Sequence, residues 1–68
     1  MAYNTGLLLR RLRGKKTQDT IARDLGITKS SWAKYERNER VPRDEVKIRI
    51  AEYFGKSVQE IFFAHHEH

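Results

Sequence analysis

Cysteine is absent from the 68-residue chain, which closes the disulfide route to stabilising a small fold and removes thiolate zinc sites and cysteine nucleophiles. The absence fits a reducing compartment, and a cytoplasmic setting is the expectation. Long apolar runs are missing as well. None exceeds the four residues of Ile61 to Ala64, far short of the ~20 residues that cross a bilayer, and no signal-peptide core follows the amino terminus. Neither membrane insertion nor export is expected. Proline occurs once, at Pro42, and no repeat, low-complexity tract or linker interrupts the sequence. One domain fills such a chain, since a typical domain holds ~100 to 200 residues. A core of this size rarely supplies more than ~3 to 5 kcal/mol, so tight helix packing or a partner subunit must carry it. Residues 1–64 are read as that domain and residues 65–68 as a frayed polar tail.

What is present in excess is positive charge. Lysine and arginine number 14 against 9 acidic residues, a net +5. The excess is uneven: residues 1–43 hold eleven basic and four acidic residues, and residues 44–68 hold three and five. A front half this cationic points to a polyanionic partner, a phosphate backbone or an anionic lipid surface.

Hydrophobic periodicity predicts five helices and no strand. Leu8, Leu9 and Leu12 form one stripe of a helix from about Asn4 to Arg13, ended by Gly14, Lys15 and Lys16. Thr17 is the N-cap of a second helix with Asp19 in its first turn and Ile21, Ala22 and Leu25 on its apolar face, up to Gly26. Thr28 caps a third, in which Trp32 and Tyr35 share a buried face while Ser30, Ala33, Lys34 and Arg37 point away. Pro42 opens a fourth, with Val46, Ile50, Tyr53 and Phe54 at helical spacing, Ala51 beside them, Lys47 and Arg49 outside the stripe, and Gly55 as its stop. Ser57 and Glu60 have capping-box spacing and start a last short helix carrying Val58, Ile61 and Phe62.

The informative stretch runs from Gln18 to Arg37. Two short helices meet at Gly26, and Ile21, Leu25, Ile27, Trp32 and Tyr35 supply their apolar contacts. This is the pattern of a helix-turn-helix, in which the first helix crosses the DNA backbone and the second enters the major groove. An ordinary helical hairpin with a glycine turn would explain the apolar positions but not the cationic open face.

More specifically, the chain resembles the Cro/C1-type helix-turn-helix family over roughly residues 5–62. The resemblance rests on L-R-G-K-K-T-Q-D-T-I-A-R-D-L-G-I-T-K-S-S-W-A-K-Y-E-R-N-E-R-V-P and the later I-A-E-Y-F-G-K-S-V-Q-E-I-F. It includes the T-Q pair opening helix two, the K-Y-E late in helix three, and the proline before helix four. It implies an all-α, five-helix, lambda-repressor-like domain that regulates transcription sequence-specifically, usually as a homodimer. It also implies base contacts from Lys29, Ser30 and Lys34, with Gln18 touching a phosphate or a base. Thr28, Arg37, Arg40 and Arg43 map to phosphate-contacting surroundings. Glu36 is expected to pair with an arginine of helix one: Arg13 by the L-x-x-L-R pattern, Arg11 by gapless counting from Gln18, with Arg13 favoured. Lys16 stands where the family usually has an apolar residue, and Asp44 and Lys47 where it often has leucines. Asn38 replaces the frequent glycine after helix three and can take the left-handed backbone needed there.

Three further features carry blander readings. The cations between Arg10 and Lys16 would suit an anionic membrane, but Leu8, Leu9 and Leu12 are needed in the core, which makes them a solvated rim. His65, His66 and His68 belong to the tail and lack a spaced partner, so no metal or other cofactor is expected. No histidine lies within the fold and the acidic residues are unpaired along helices, so no enzyme is expected. The function read from the sequence is a double-stranded-DNA-binding regulator that represses by occupying an operator with its third helix. A partner-binding module on the same fold, an antitoxin or an antagonist of another regulator, is the alternative. The apolar run Ile61, Phe62 and Phe63 is expected to be exposed, and to serve the homodimer or a protein antagonist.

Overall fold

Side-chain caps punctuate the chain. In the computed structural model, which describes residues 4–63, Asn4 Oδ1 accepts the Leu7 N–H, Thr17 the Thr20 N–H and Thr28 the Ser31 N–H. Each satisfies a donor that the first helical turn leaves open. The elements they begin are α1 (Thr5–Arg13), α2 (Gln18–Leu25) and α3 (Lys29–Glu36), followed by α4 (Asp44–Phe54) and a terminal π-helical turn (Gln59–Phe63). Among the described residues the fold is all-α. The tail read at residues 65–68, with its three histidines, lies outside the described residues.

Leu9, Ile21, Trp32, Ile50 and Ile61 are fully buried, one from each element, so the core is a single cluster to which every helix contributes. Trp32 and Tyr35 meet edge to face across 6.4 Å between ring centroids, as do Tyr53 and Phe54 across 5.0 Å, the arrangement that ring quadrupoles favour.

The amino end of α1 lies against the carboxy end of α3 because Gly6 has no side chain. A Cβ there would stand 2.2 Å from the Glu36 carbonyl oxygen. The same junction is tied by Asn38, which sits at φ 61°. Its Oδ1 accepts the Gly6 N–H at 2.9 Å and its Nδ2 donates to Asn4 Oδ1 at 2.8 Å.

Three expectations are corrected. The fourth helix begins at Asp44, with Arg43 as its extended N-cap. Pro42 is buried in the approach to it, and Asp44 and Glu45 occupy the electropositive first turn. Lys47, expected outside the apolar stripe, has a side chain only 13 % exposed, with its ammonium 4.9 Å from the centre of the Phe63 ring and 5.7 Å from that of Phe62. The run Ile61 to Phe63 is not an exposed patch. Ile61 is 0 % and Phe62 6 % exposed, and Phe63 is half-buried under Lys47. A core this small recruits the terminal turn to close over α1, and that removes Ile61 and Phe62 from the surface on which a second copy or an antagonist would dock. The turn itself starts as its spacing predicts: Ser57 N–H donates to Glu60 Oε1 at 2.8 Å and Glu60 N–H to Ser57 Oγ at 3.0 Å.

Candidate nucleic-acid interface

The geometry of the interface starts at Gly26. Its backbone, at φ 74° and ψ 30°, is left-handed, a conformation that costs an L-residue ~1 kcal/mol or more and glycine almost nothing. The chain therefore reverses within Gly26 and Ile27 and starts α3 at once. Arg49 of α4 donates from Nη1 to the Leu25 carbonyl at 2.7 Å, bracing the end of α2 from outside the motif.

Burial of Trp32, Tyr35 and Glu36 decides which side of α3 faces out. Lys29 and Ser30 are exposed at its amino end, and Ala33 and Lys34 are half-buried one turn on. Thr28 is exposed too, though its hydroxyl caps the helix and contacts Ser31 Oγ at 3.0 Å. Arg37 follows on the exposed side, held by Glu39 through Nε to Oε2 at 2.8 Å and Nη2 to Oε1 at 3.2 Å. That pair raises the Arg37 pKa and lowers the Glu39 pKa, and a phosphate at Arg37 must compete with it. Arg40 reaches back to Ser31 Oγ at 3.4 Å and is otherwise open, and Arg43 is exposed at the start of α4. Lys29, Ser30, Lys34 and Arg37 thus lie on the side of α3 away from Trp32 and Tyr35, with Arg40 in reach of Ser31.

Gln18 is placed differently from the other expected contacts. It is half-buried, and its Nε2 donates to Glu36 Oε1 at 2.9 Å. Glu36, 6 % exposed, is the hub beneath α3. Arg13, the favoured of the two arginines, donates Nε to its Oε2 at 2.6 Å and Nη2 to its Oε1 at 3.2 Å, while Trp32 Nε1 donates to Oε2 as well. Burial pushes the carboxyl pKa up, but the bonds from Arg13, Gln18 and Trp32 together outweigh it and leave the value below the usual 4.5. Arg13 also donates Nη1 to the Lys16 carbonyl at 2.7 Å, so one guanidinium holds the α1–α2 turn as well as α3.

Sequence reasoning identified Arg13 and Glu36 but not Gln18 and Trp32 as their partners. The i,i+4 spacing of Trp32 and Glu36 was the available signal. Lys16, which stands where the family usually has an apolar residue, has a polar partner that the sequence did not indicate. Its Nζ donates to the Tyr53 hydroxyl at 2.6 Å and lies 5.1 Å from that ring's centre, and the hydroxyl donates to Asp24 Oδ2 at 2.7 Å. A polar chain takes the place of an apolar contact between the α1–α2 turn, α2 and α4.

A family model described as a helix-turn-helix domain matches residues 7–64. The chain belongs to the helix-turn-helix domain family. No curated protein and no solved structure gives a significant match. Helix-turn-helix domains bind DNA by laying the second helix of the motif in the major groove, and α2, the Gly26 turn and α3 form the motif here. Lys29, Lys34 and Arg37 lie on or at the end of the second helix of that motif. Among the described residues, no helix is long and apolar enough to cross a membrane.

Proposed function

We propose that this helix-turn-helix domain is a Cro/C1-type transcriptional regulator that reads an operator with α3 and represses by occupying it. The observation that carries the reading is the outward side of α3: Lys29, Ser30 and Lys34 at and near its amino end, backed by a buried Trp32, Tyr35 and Glu36 that fix the helix rotation. Lysine donates to guanine O6 or N7 and serine to either kind of base edge, which suits these three to base contacts. Gln18 joins them with its second amide proton or its carbonyl oxygen, the first proton being held by Glu36. Thr28, Arg37, Arg40 and Arg43 surround the helix at positions suited to phosphates, which orient the domain without reading sequence. The T-Q of residues 17–18, the Y-E of residues 35–36 and Pro42 support the Cro/C1 assignment. One α3 reads only a few base pairs, so the working unit is a homodimer on a pseudo-palindrome with half-sites ~34 Å apart.

A salt titration on duplex DNA, followed by selection of bound sequences, tests the reading. Log K should fall by about 0.9 per phosphate neutralised, and Arg40→Ala should weaken all sequences alike while reducing the slope by roughly one. Lys34→Ala should instead relax preference at one or two operator positions, at ~1 to 3 kcal/mol. Uniform weakening by Lys34→Ala would move that residue to the backbone contacts. Absence of duplex binding at every salt concentration would replace the regulator by a protein-interaction module.

A further inference from the structure

A cavity of about 290 Å³ opens where the amino end of α1, the loop after α3, α4 and the terminal turn converge. Its size lies near the lower end of the ~300 to 1,000 Å³ range of small-molecule sites. The floor is apolar and aromatic, with Leu9, Phe62 and Phe63, and two cations, Arg40 and Lys47, share the lining. Among its described lining residues no carboxylate balances them. Lys47 is unusual for a helix-surface lysine. Its side chain is 13 % exposed over the faces of Phe62 and Phe63, and its ion pair with Asp44 is long, at 3.9 Å, to a side chain that is 97 % exposed. An ammonium with much of its hydration removed and only a solvated carboxylate at that distance favours an incoming anion. The aromatic floor favours an apolar body behind that anion.

We propose that this cavity binds a small flat or aliphatic monocarboxylate, with its carboxylate on Lys47 and Arg40 and its apolar body against Phe62 and Phe63. Arg40 gives the site a consequence. It lines the cavity and also contacts Ser31 of α3, so a ligand carboxylate that takes the guanidinium removes it from a DNA phosphate. This second step rests on the DNA reading above; the binding step does not. Such a domain needs no separate sensor, because the operator face and the ligand share one arginine.

The test titrates isotope-labelled protein with benzoate, phenylacetate and hexanoate at constant ionic strength, with benzamide as the neutral counterpart of benzoate. Expected are saturable resonance shifts at Leu9, Asn38, Lys47 and Phe63, and benzamide binding weaker by about tenfold or more, the discrimination of one charge-assisted hydrogen bond. Lys47→Met, which keeps the stem over the rings, should fold and lose a similar factor, and Lys47→Arg should retain binding. Linear shifts scattered over the exposed arginines, equal binding of benzamide, or no saturation with all three acids would overturn the site. With duplex DNA, a saturating acid should lower the salt slope by roughly one phosphate, as Arg40→Ala does, and Lys47→Met should abolish that effect. Saturable acid binding with an unchanged DNA slope would overturn the coupling alone. Failure of the ligand-free protein to bind duplex would instead overturn the DNA reading, with the acid titration still deciding the cavity.

Discussion

Replacing Arg13 by methionine isolates the ion pair that holds α3 in position. The substitution keeps the stem but strips Glu36 of the charged donor at 2.6 Å and of the second bond at 3.2 Å. What remains is a carboxylate with 3 % side-chain exposure and two neutral donors, Gln18 and Trp32. Breaking a buried pair by removing one partner costs ~3 to 5 kcal/mol, and the 19 % exposure of Arg13 argues for the lower end, about 3 kcal/mol. Against the ~3 to 5 kcal/mol that a domain of this size holds, that loss leaves it marginal at 25 °C.

The pH dependence separates this cause from lost packing. In the wild type the folded pKa of Glu36 lies below 4.5. Its contribution to stability is therefore complete above the unfolded value and is lost as pH falls through the folded one. In Arg13→Met the charged donor is gone and burial dominates, so the folded pKa should rise above 4.5. That variant should gain stability on acidification over the range where the wild type begins to lose it. Urea unfolding followed by circular dichroism at pH 7 and pH 4 should show the gap between the two proteins narrowing by ~1 kcal/mol or more, the equivalent of about one pKa unit. Parallel curves, or a cost below ~1 kcal/mol at pH 7, would refute the account of Glu36 as a buried charge that depends on Arg13.

Gly6→Ala should cost ~1 to 3 kcal/mol, because the new methyl meets the Glu36 backbone and α1 must move away from α3; an unchanged melting temperature would show the junction to be loose. Trp32→Ala should unfold the domain, since truncating a fully buried tryptophan costs ~3 to 5 kcal/mol. A folded, thermally unchanged variant that only loses DNA binding would make Trp32 a groove contact. Ile61→Asp should abolish the folded state by putting a carboxylate where the core is fully closed. Sedimentation of Ile61→Asp as a folded monomer would return that residue to an interface.

The parts of the fold legible in the sequence are those governed by rules of three or four residues. Thr17 and Thr28 as caps, the left-handed Gly26, Asn38 and Gly55, and the Ser57 and Glu60 reciprocal pair all follow from local hydrogen bonding and backbone sterics. The helical stripes follow from periodicity in the same way. Where the pattern failed, the partner was far along the chain: Gly6 against Glu36, Lys16 on Tyr53, Arg49 on Leu25. None of these pairs announces itself, since a glycine near a helix start and a lysine in a turn are ordinary features of an amphipathic sequence.

The Lys47 and Phe63 errors share one cause, and it bears on how the candidate interface works. Both came from treating each helix as a stripe with a fixed angular width, so that a lysine beside the stripe was surface and a third apolar residue after the last cap was surplus. In so small a domain the core also draws on side chains at the edge of a stripe, and the long stem of Lys47 substitutes for a leucine while its ammonium sits on the rings that close the core. The terminal turn is thereby made part of the scaffold behind α3, not an appendage available to a second copy. Glu36 holds α3 from beneath through Arg13, Gln18 and Trp32, and the terminal turn packs against the same α1 that carries Arg13. On the proposed reading of α3 as the operator-facing helix, a substitution in the terminal turn should thus reach it through α1, which makes DNA affinity and thermal stability fall together there, while substitutions at Lys29, Ser30 or Lys34 change affinity alone.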